Sequence, residues 1–191
     1  DQPDKKYGTR AGKLLAMFKE TGIETAIDVV SENSERFNKI VCPSLKFTDY
    51  LIFNEIEAGK VLEKKIRLND ETINFKDASE ASVALLKMGV GKMVLIHFPE
   101  GAVAAVKEKN KVYCESISSL RLPSEFIKGT VGAGDAFCAG ALYQIHKGES
   151  IASILKFGSG VAAASLSHPT ASHGIKSIKQ VNELIQSHLA R

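Results

Sequence analysis

Apolar residues in the first half of the chain alternate between helical spacing and short, strand-like runs. Helical spacing predicts helices in "TRAGKLLAMFKETG" (9–22), "EIEAGKVLEKKI" (55–66) and "DASEASVALLKMG" (77–89), the last with Asp77 as its cap. Short apolar runs predict buried strands in "ETAIDVV" (24–30), "DYLIFN" (49–54) and "KMVLIHF" (92–98). Because the two kinds of segment alternate, the pattern predicts βαβ units and a mostly parallel sheet.

The second half of the chain changes character. In "GAVAAVKEKNKVYCESI" (101–117) two alternating runs flank residues 108–111, which predicts a β-hairpin. Helical patterns follow at 132–148, beginning at glycines, at 150–168, with Ser150 as the cap, and at 177–191. The chain has no internal repeat, and its length favours one domain over residues 1–191.

The composition limits the classes of protein to which this chain can belong. The chain contains 191 residues, 44% of them hydrophobic, so it can build a substantial core. No apolar run approaches the roughly 20 residues of a membrane span, and no signal-peptide pattern opens the chain. We therefore expect a cytoplasmic protein without a membrane partner. The net charge of +3 is spread among acidic residues, which argues against a nucleic-acid partner.

The cysteines and histidines do not predict a metal or disulfide framework. Cys42, Cys114 and Cys138 lie far apart and form no CxxC pair. The two histidines of "HPTASH", His168 and His173, lack zinc-like spacing and nearby thiols.

The stretch "GTVGAGDAF" (129–137) is the strongest chemical signal. It matches neither standard anion loop: the dinucleotide fingerprint would need glycine at Phe137, and the P-loop would need Lys at Asp135. It keeps the physics that both loops share, because glycines let backbone N–H groups converge and a helix N-terminus follows. Residues 132–134 are therefore predicted to form a hole for a phosphate or an oxyanion.

Asp135 has two interpretations. A carboxylate in the first turn of a helix commonly stabilises that helix terminus. Alternatively, the carboxylate accepts the proton of an attacking hydroxyl while the neighbouring amides stabilise charge on a transferred phosphoryl group.

The loop and its surroundings resemble the PfkB/ribokinase family of carbohydrate kinases. "GTVGAGDAFCAGAL" is similar to the family's signature D-T-x-G-A-G-D-x-F-x-x-G. "DYLIFNEIEAG", "VLIHFPEGAVA" and "FGSGVAAASLS" are similar to its N-x-x-E strand, its glycine turn before a hairpin, and its small-residue helix. The resemblance covers nearly the whole chain and implies a ribokinase-like three-layer α/β/α fold with a mostly parallel sheet and a β-hairpin.

The resemblance implies an ATP-dependent kinase acting on a sugar or sugar-like alcohol. Asp135 would be the base, and the amides of Gly132, Ala133 and Gly134 would form the anion hole. Asn54 and Glu57 would help to hold Mg²⁺, often through water, and Mg²⁺ needs few protein oxygens beside phosphates. From the residues alone, the favoured interpretation of Asn54 is a turn or cap after the strand, and that of Glu57 is a solvated position on a helix.

Further residues are assigned to the nucleotide by resemblance: Thr130, Gly101, Ser159 and Gly160. For the last two, tight helix packing is the alternative explanation. The chain also departs from the family. Ile96 and Phe98 replace Thr and Gly in the glycine turn, and Gly129 replaces an Asp of a monovalent-cation loop, so we expect no potassium activation. His97 is interpreted as structural and is left outside the site.

Family members extend further at the N-terminal end, where the resemblance places the sugar contacts and a β-lid. We therefore expect the 191-residue chain alone to have little or no kinase activity and to self-associate, with a homodimer among its expected assemblies. Two alternatives stay open: a nucleoside kinase of the same family, and a degenerate module that binds nucleotide and regulates a partner.

Overall fold

The structure is a computed structural model that describes residues 2–30, 36–67, 72–109 and 111–188. The chain forms two compact units. The first consists of Asp1–Ile96 with Val103–Cys114, and the second of His97–Ala102 with Glu115–Arg191. No helix in the described ranges has the length and apolar character needed to cross a bilayer.

The helices are α1 Arg10–Glu20, α2 Arg36–Leu45, α3 Glu55–Val61, α4 Phe75–Lys87, α5 Ala133–His146, α6 Ile151–Ser165 and α7 Ile178–His188, with a 3-10 turn at Ser124–Phe126. The strands are β1 Pro3–Asp4, β2 Gly8–Thr9, β3 Ala26–Ile27, β4 Tyr50–Asn54, β5 Met93–Phe98, β6 Gly101–Glu108 and β7 Lys111–Ser118. Strands β1 and β2 pair with each other, and the other five form one sheet in the order β3-β4-β5-β6-β7.

The sheet is mixed. Strands β3 and β4 are parallel, with Ala26 opposite Tyr50. The starts of β4 and β5 lie together, because the N–H groups of Lys92 and Met93 both donate to the Asp49 carbonyl, so these two strands also run the same way. Only two residues separate β5 from β6, a connection that antiparallel strands alone can use. The predicted hairpin of β6 and β7 is confirmed, while Asn110 in its turn lies outside the described residues.

Two local predictions need correction, and one helix was not predicted. The expected buried strand at 24–30 is limited to Ala26–Ile27 and is partly exposed. The Asp28 carboxylate accepts from the Val29 N–H, which is then not available to a neighbouring strand. Helix α4 is capped by Asn74, whose side chain accepts from the Lys76 N–H, and not by Asp77. Helix α2 was not predicted; it carries Pro43 within its last turn.

Asp49 organises the start of the sheet in the first unit. Its carboxylate accepts from the Lys19 ammonium at 2.7 Å and from the Thr25 N–H at 3.0 Å. Burial raises the pKa of this carboxyl, but the bonds from Lys19 and Thr25 outweigh that effect and hold the pKa below its usual value. The side chain therefore joins α1 to the strand segment at Thr25.

Replacing Asp49 by Ala is expected to lower the free energy of unfolding by about 2–4 kcal/mol, because it leaves the buried Thr25 N–H without its partner. Asp77→Ala is the matched control: its carboxylate lies in the first turn of α4, where its loss should cost less than about 1 kcal/mol. Urea denaturation of both variants measures the difference. Equal losses would contradict the role given to Asp49.

Candidate functional site

Gly132 fixes the beginning of α5. It is the N-cap residue and has φ 82° and ψ 2°, a left-handed conformation that favours glycine. A Cβ placed on Gly132 would lie 2.7 Å from the Ala171 Cβ and 2.8 Å from its Cα. Both the backbone conformation and the close approach of Ala171 therefore require glycine at this position.

The N-terminus of α5 presents unbonded N–H groups. No side chain caps the helix, and within the described residues the amides of Gly132, Gly134 and Asp135 have no hydrogen-bond acceptor. The Ala133 N–H differs, because it donates to the Thr130 carbonyl at 3.2 Å. Converging free amides at a helix N-terminus suit a negatively charged group.

Asp135 lies in the first turn of α5 and is exposed. Its carboxylate accepts no hydrogen bond from the described part of the chain, including the helix's own N–H groups. Asp135 thus makes no capping hydrogen bond within the described ranges, while its place in the first turn of α5 is compatible with electrostatic stabilisation of the helix terminus. The carboxylate is instead open to solvent beside the free amides.

A second loop, residues 168–173, packs against the loop that precedes α5. Pro169 lies so close to Gly129 that a Cβ there would be 2.8 Å from the Pro169 Cα. Thr170 joins two rings: its hydroxyl lies 3.0 Å from the His168 Nδ1 and 2.8 Å from the His173 Nδ1. The packing leaves no room for a larger side chain at position 129 unless the loop moves.

His97 is a neighbour of this site that the sequence analysis left out. It comes near the end of β5, its ring centroid lies 4.9 Å from that of Phe137, and its Cε1 lies 3.2 Å from where a Cβ on Gly134 would stand. Burial lowers the pKa of His97 to about 4, against the opposing effect of the Asp135 carboxylate. The one sequence signal for it was a polar residue at a strand end that otherwise carries apolar side chains.

The other predicted nucleotide residues occupy different surroundings. Thr130 is exposed in the loop before α5, and Gly101 is buried at the start of β6. On α6, Ser159 is partly exposed, whereas Gly160 is buried, and a Cβ there would lie 2.4 Å from the Ile185 Cδ1 of α7. Close packing of α6 on α7 thus accounts for the glycine at 160, and nucleotide binding at these positions stays a prediction.

The departures at Ile96 and Phe98 have a structural explanation. Both side chains are buried and contribute to the cores of their units. Apolar residues at these positions stabilise the fold, and any nucleotide contact at this turn would depend on backbone groups.

Asn54 and Glu57 lie in the first unit and form a capping box at the start of α3. The Asn54 Oδ1 accepts from the Glu57 N–H at 2.8 Å, and the Glu57 Oε2 accepts from the Asn54 N–H at 2.9 Å. Glu57 is only 3% exposed, so it is not a solvated position on the helix. The cap interpretation of Asn54 is confirmed.

The donor set at Asn54 and Glu57 fits a hard cation. Both side chains offer oxygen atoms, which Mg²⁺ prefers. In the described ranges no cluster of three or more His, Cys, Asp or Glu side chains is arranged to hold a metal by itself. A site for Mg²⁺ at these residues would therefore need further oxygens from phosphates or water.

Comparisons with known proteins identify relatives of this chain. A family model described as pfkB family carbohydrate kinase matches residues 11–178. A curated relative, the 5-dehydro-2-deoxygluconokinase of Halalkalibacterium halodurans, is 28% identical over 169 residues, which cover 87% of this chain and 43% of the relative.

Solved structures share the fold. Phosphofructokinase-2 from Escherichia coli, in complex with substrates and products, superposes with a TM-score of 0.72 at 18% identity, covering 96% of this chain and 54% of that one. Ribokinase from Arabidopsis thaliana, complexed with ribose and ATP, superposes with a TM-score of 0.70 at 22% identity, covering 92% and 53%. The chain thus spans about half the length of these relatives, and the predicted ribokinase-like α/β class is confirmed.

The lowered pKa of His97 predicts a pH-dependent stability. The unfolded chain takes up a proton near pH 6.5 and the folded chain near pH 4, so the stabilisation is complete above pH 6.5 and is lost as the pH falls toward 4. Between pH 7 and pH 5 the wild type should lose about 2 kcal/mol more unfolding free energy than His97→Phe. Urea denaturation at both pH values measures this, and parallel losses would contradict burial of a neutral imidazole.

Proposed function

Because the chain belongs to the pfkB family of carbohydrate kinases, we propose that the full-length protein transfers the γ-phosphoryl group of ATP to a hydroxyl of a sugar or sugar-like alcohol. Asp135 is the base, and the N-terminus of α5 is the anion hole. The observation that carries this proposal is an uncapped helix N-terminus with unbonded amides beside a solvent-exposed carboxylate.

The roles of the residues follow from their positions. Asp135 orients the acceptor hydroxyl and accepts its proton as the new oxygen–phosphorus bond forms. The amides of residues 132–134, with that of Asp135, stabilise the charge on the phosphoryl oxygens. Since the Ala133 N–H also donates to the Thr130 carbonyl, Gly132 and Gly134 are the stronger donors.

ATP supplies the phosphoryl group when bound. The other residues with a proposed role would hold the nucleotide and its Mg²⁺. Thr130, Gly101, Ser159 and Gly160 are proposed to border the nucleotide. Asn54 and Glu57 are proposed to help hold Mg²⁺, with the capping box fixing the rotamers of both side chains.

Location and assembly are proposed on the sequence alone. The cytoplasm is the expected compartment. That the 191-residue chain alone has little or no kinase activity and self-associates stays a prediction.

In the full-length protein, Asp135→Asn is expected to lower kcat about 10²–10⁴-fold while leaving the Kd for ATP nearly unchanged, because the amide keeps the shape but accepts no proton. A coupled ADP-release assay against a panel of sugars and nucleosides, with Asp77→Asn as the charge-matched control, tests this. Unchanged turnover in Asp135→Asn would refute the base assignment.

The same panel separates the alternatives. Transfer to nucleosides alone would favour a nucleoside kinase. ATP binding without transfer to any acceptor would favour the regulatory module. The observation that favours this alternative is the replacement of the family's Thr and Gly by the apolar residues Ile96 and Phe98.

Activity is expected to be independent of potassium. Gly129 brings no carboxylate, and Pro169 fills the space that a side chain there would use. Replacing potassium by tetramethylammonium at equal ionic strength should change kcat by less than about twofold. A loss of most of the activity would show that a monovalent cation is held by other groups.

A further inference from the structure

His97 is an unusual side chain for its position. Strand β5 is otherwise buried, and its neighbours Ile96 and Phe98 are apolar core residues. The imidazole of His97 packs on the Phe137 ring, which an apolar side chain could do equally well. Packing alone therefore does not explain why a polar ring stands here.

The polar atoms of this ring lack protein partners. Among the described residues, neither ring nitrogen of His97 makes a hydrogen bond. A neutral imidazole has one N–H donor and one acceptor nitrogen. Neither nitrogen of His97 is a fully enclosed polar atom without a partner, so a bound ligand can reach them.

The edge of the ring that carries Nε2 lies against Gly134. Its Cε1 and Nε2 lie 3.2 Å and 3.6 Å from where a Cβ on Gly134 would stand. The imidazole thus occupies the space beside the Gly134 amide, and any side chain at 134 would press against it. An anion held by the amides of Gly132 and Gly134 would lie next to this edge.

The charge state of the ring suits a donor beside a catalytic base. Burial keeps His97 neutral at physiological pH, with a pKa of about 4. A protonated imidazole would attract the Asp135 carboxylate and draw it away from the acceptor hydroxyl. A neutral ring can donate one hydrogen bond without holding the carboxylate.

We propose that His97 is a catalytic residue that donates a hydrogen bond, through Nε2–H, to an oxygen of the transferring phosphoryl group at the N-terminus of α5. This rests on the proposed phosphoryl transfer at that site. It does not depend on which acceptor is used, because the contact is to the phosphoryl group and not to the alcohol.

Two substitutions in the full-length protein distinguish a hydrogen-bond donor at position 97 from a side chain that only packs against Phe137. His97→Phe keeps an aromatic ring against Phe137 and removes the donor, so kcat should fall about 10- to 100-fold with the KM for ATP within about threefold. His97→Gln restores an N–H near the place of Nε2, and kcat should stay within about fivefold of wild type. A His97→Phe variant that retains more than half of the activity, or a Gln variant that loses as much as Phe, would overturn the proposal.

Binding of ADP with tetrafluoroaluminate, a planar mimic of the transferring group, provides a readout that needs no acceptor. Calorimetry should show about tenfold weaker binding for His97→Phe and near-wild-type binding for His97→Gln. Asp135→Asn is the third variant in this experiment. If it loses phosphoryl transfer but still binds ADP with tetrafluoroaluminate, the proposed function is supported. If its transfer is unchanged, Asp135 is not the base, and the result for His97 can still be interpreted.

If circular dichroism shows that His97→Phe does not fold, a measurement on the wild-type protein tests the proposal instead. The ¹⁵N shift of His97 Nε2 is expected to move when ADP and tetrafluoroaluminate are added. An unmoved resonance at saturation would overturn the proposal.

Discussion

The close approach of Ala171 to a left-handed Gly132 is the constraint on which the site depends. A positive φ at the N-cap turns the chain sharply into α5, and the residue there has no side chain with which to cap the helix. The first amides of α5 are consequently left without acceptors, and Asp135 follows within the same turn. A serine or aspartate cap would satisfy one of these amides and would fill the space where an anion is proposed to bind.

The surroundings of the loop hold this geometry in place. Pro169 packs beneath Gly129, and the Thr170 hydroxyl joins two histidine rings, so the supporting loop is itself fixed by internal contacts. The His97 ring packs on Phe137 of α5 and lies against Gly134 in the first turn of that helix. Small residues continue this packing along the helix, where a Cβ on Gly140 would lie 3.0 Å from the Gly158 Cα of α6. Backbone donors held this rigidly need little reorganisation when charge develops.

Sequence patterns predicted the parts of this structure that depend on local chemistry. Glycines before an apolar helical run marked the start of α5, and the Ser150 cap marked that of α6, because both signals act within one turn. The length of β3 was not predictable from its apolar run, since the Asp28 side chain bonds its neighbour's N–H and competes with the sheet. Helix α2 was missed because Pro43 is a local signal against a helix, which the burial of Phe37, Val41 and Leu45 on one face of the helix outweighs.

The site itself was predictable only in part. The acid and the glycines of the loop are consecutive in sequence, so their proximity needed no knowledge of the fold. His97 lies more than thirty residues earlier and reaches Gly134 through tertiary packing, which no spacing rule anticipates. Glu57 was interpreted as solvated from its helical position, yet the capping box with Asn54 buries it.

The central claim is that the free amides of α5 receive the transferring phosphoryl group while Asp135 faces the acceptor. A crystal structure of the full-length protein with ADP and tetrafluoroaluminate tests this most directly. The account predicts fluorine atoms within about 2.7–3.2 Å of the Gly132 and Gly134 amide nitrogens, with the Asp135 carboxylate on the side away from ADP. An anion bound elsewhere, or an Asp135 carboxylate turned away from it, would contradict the account.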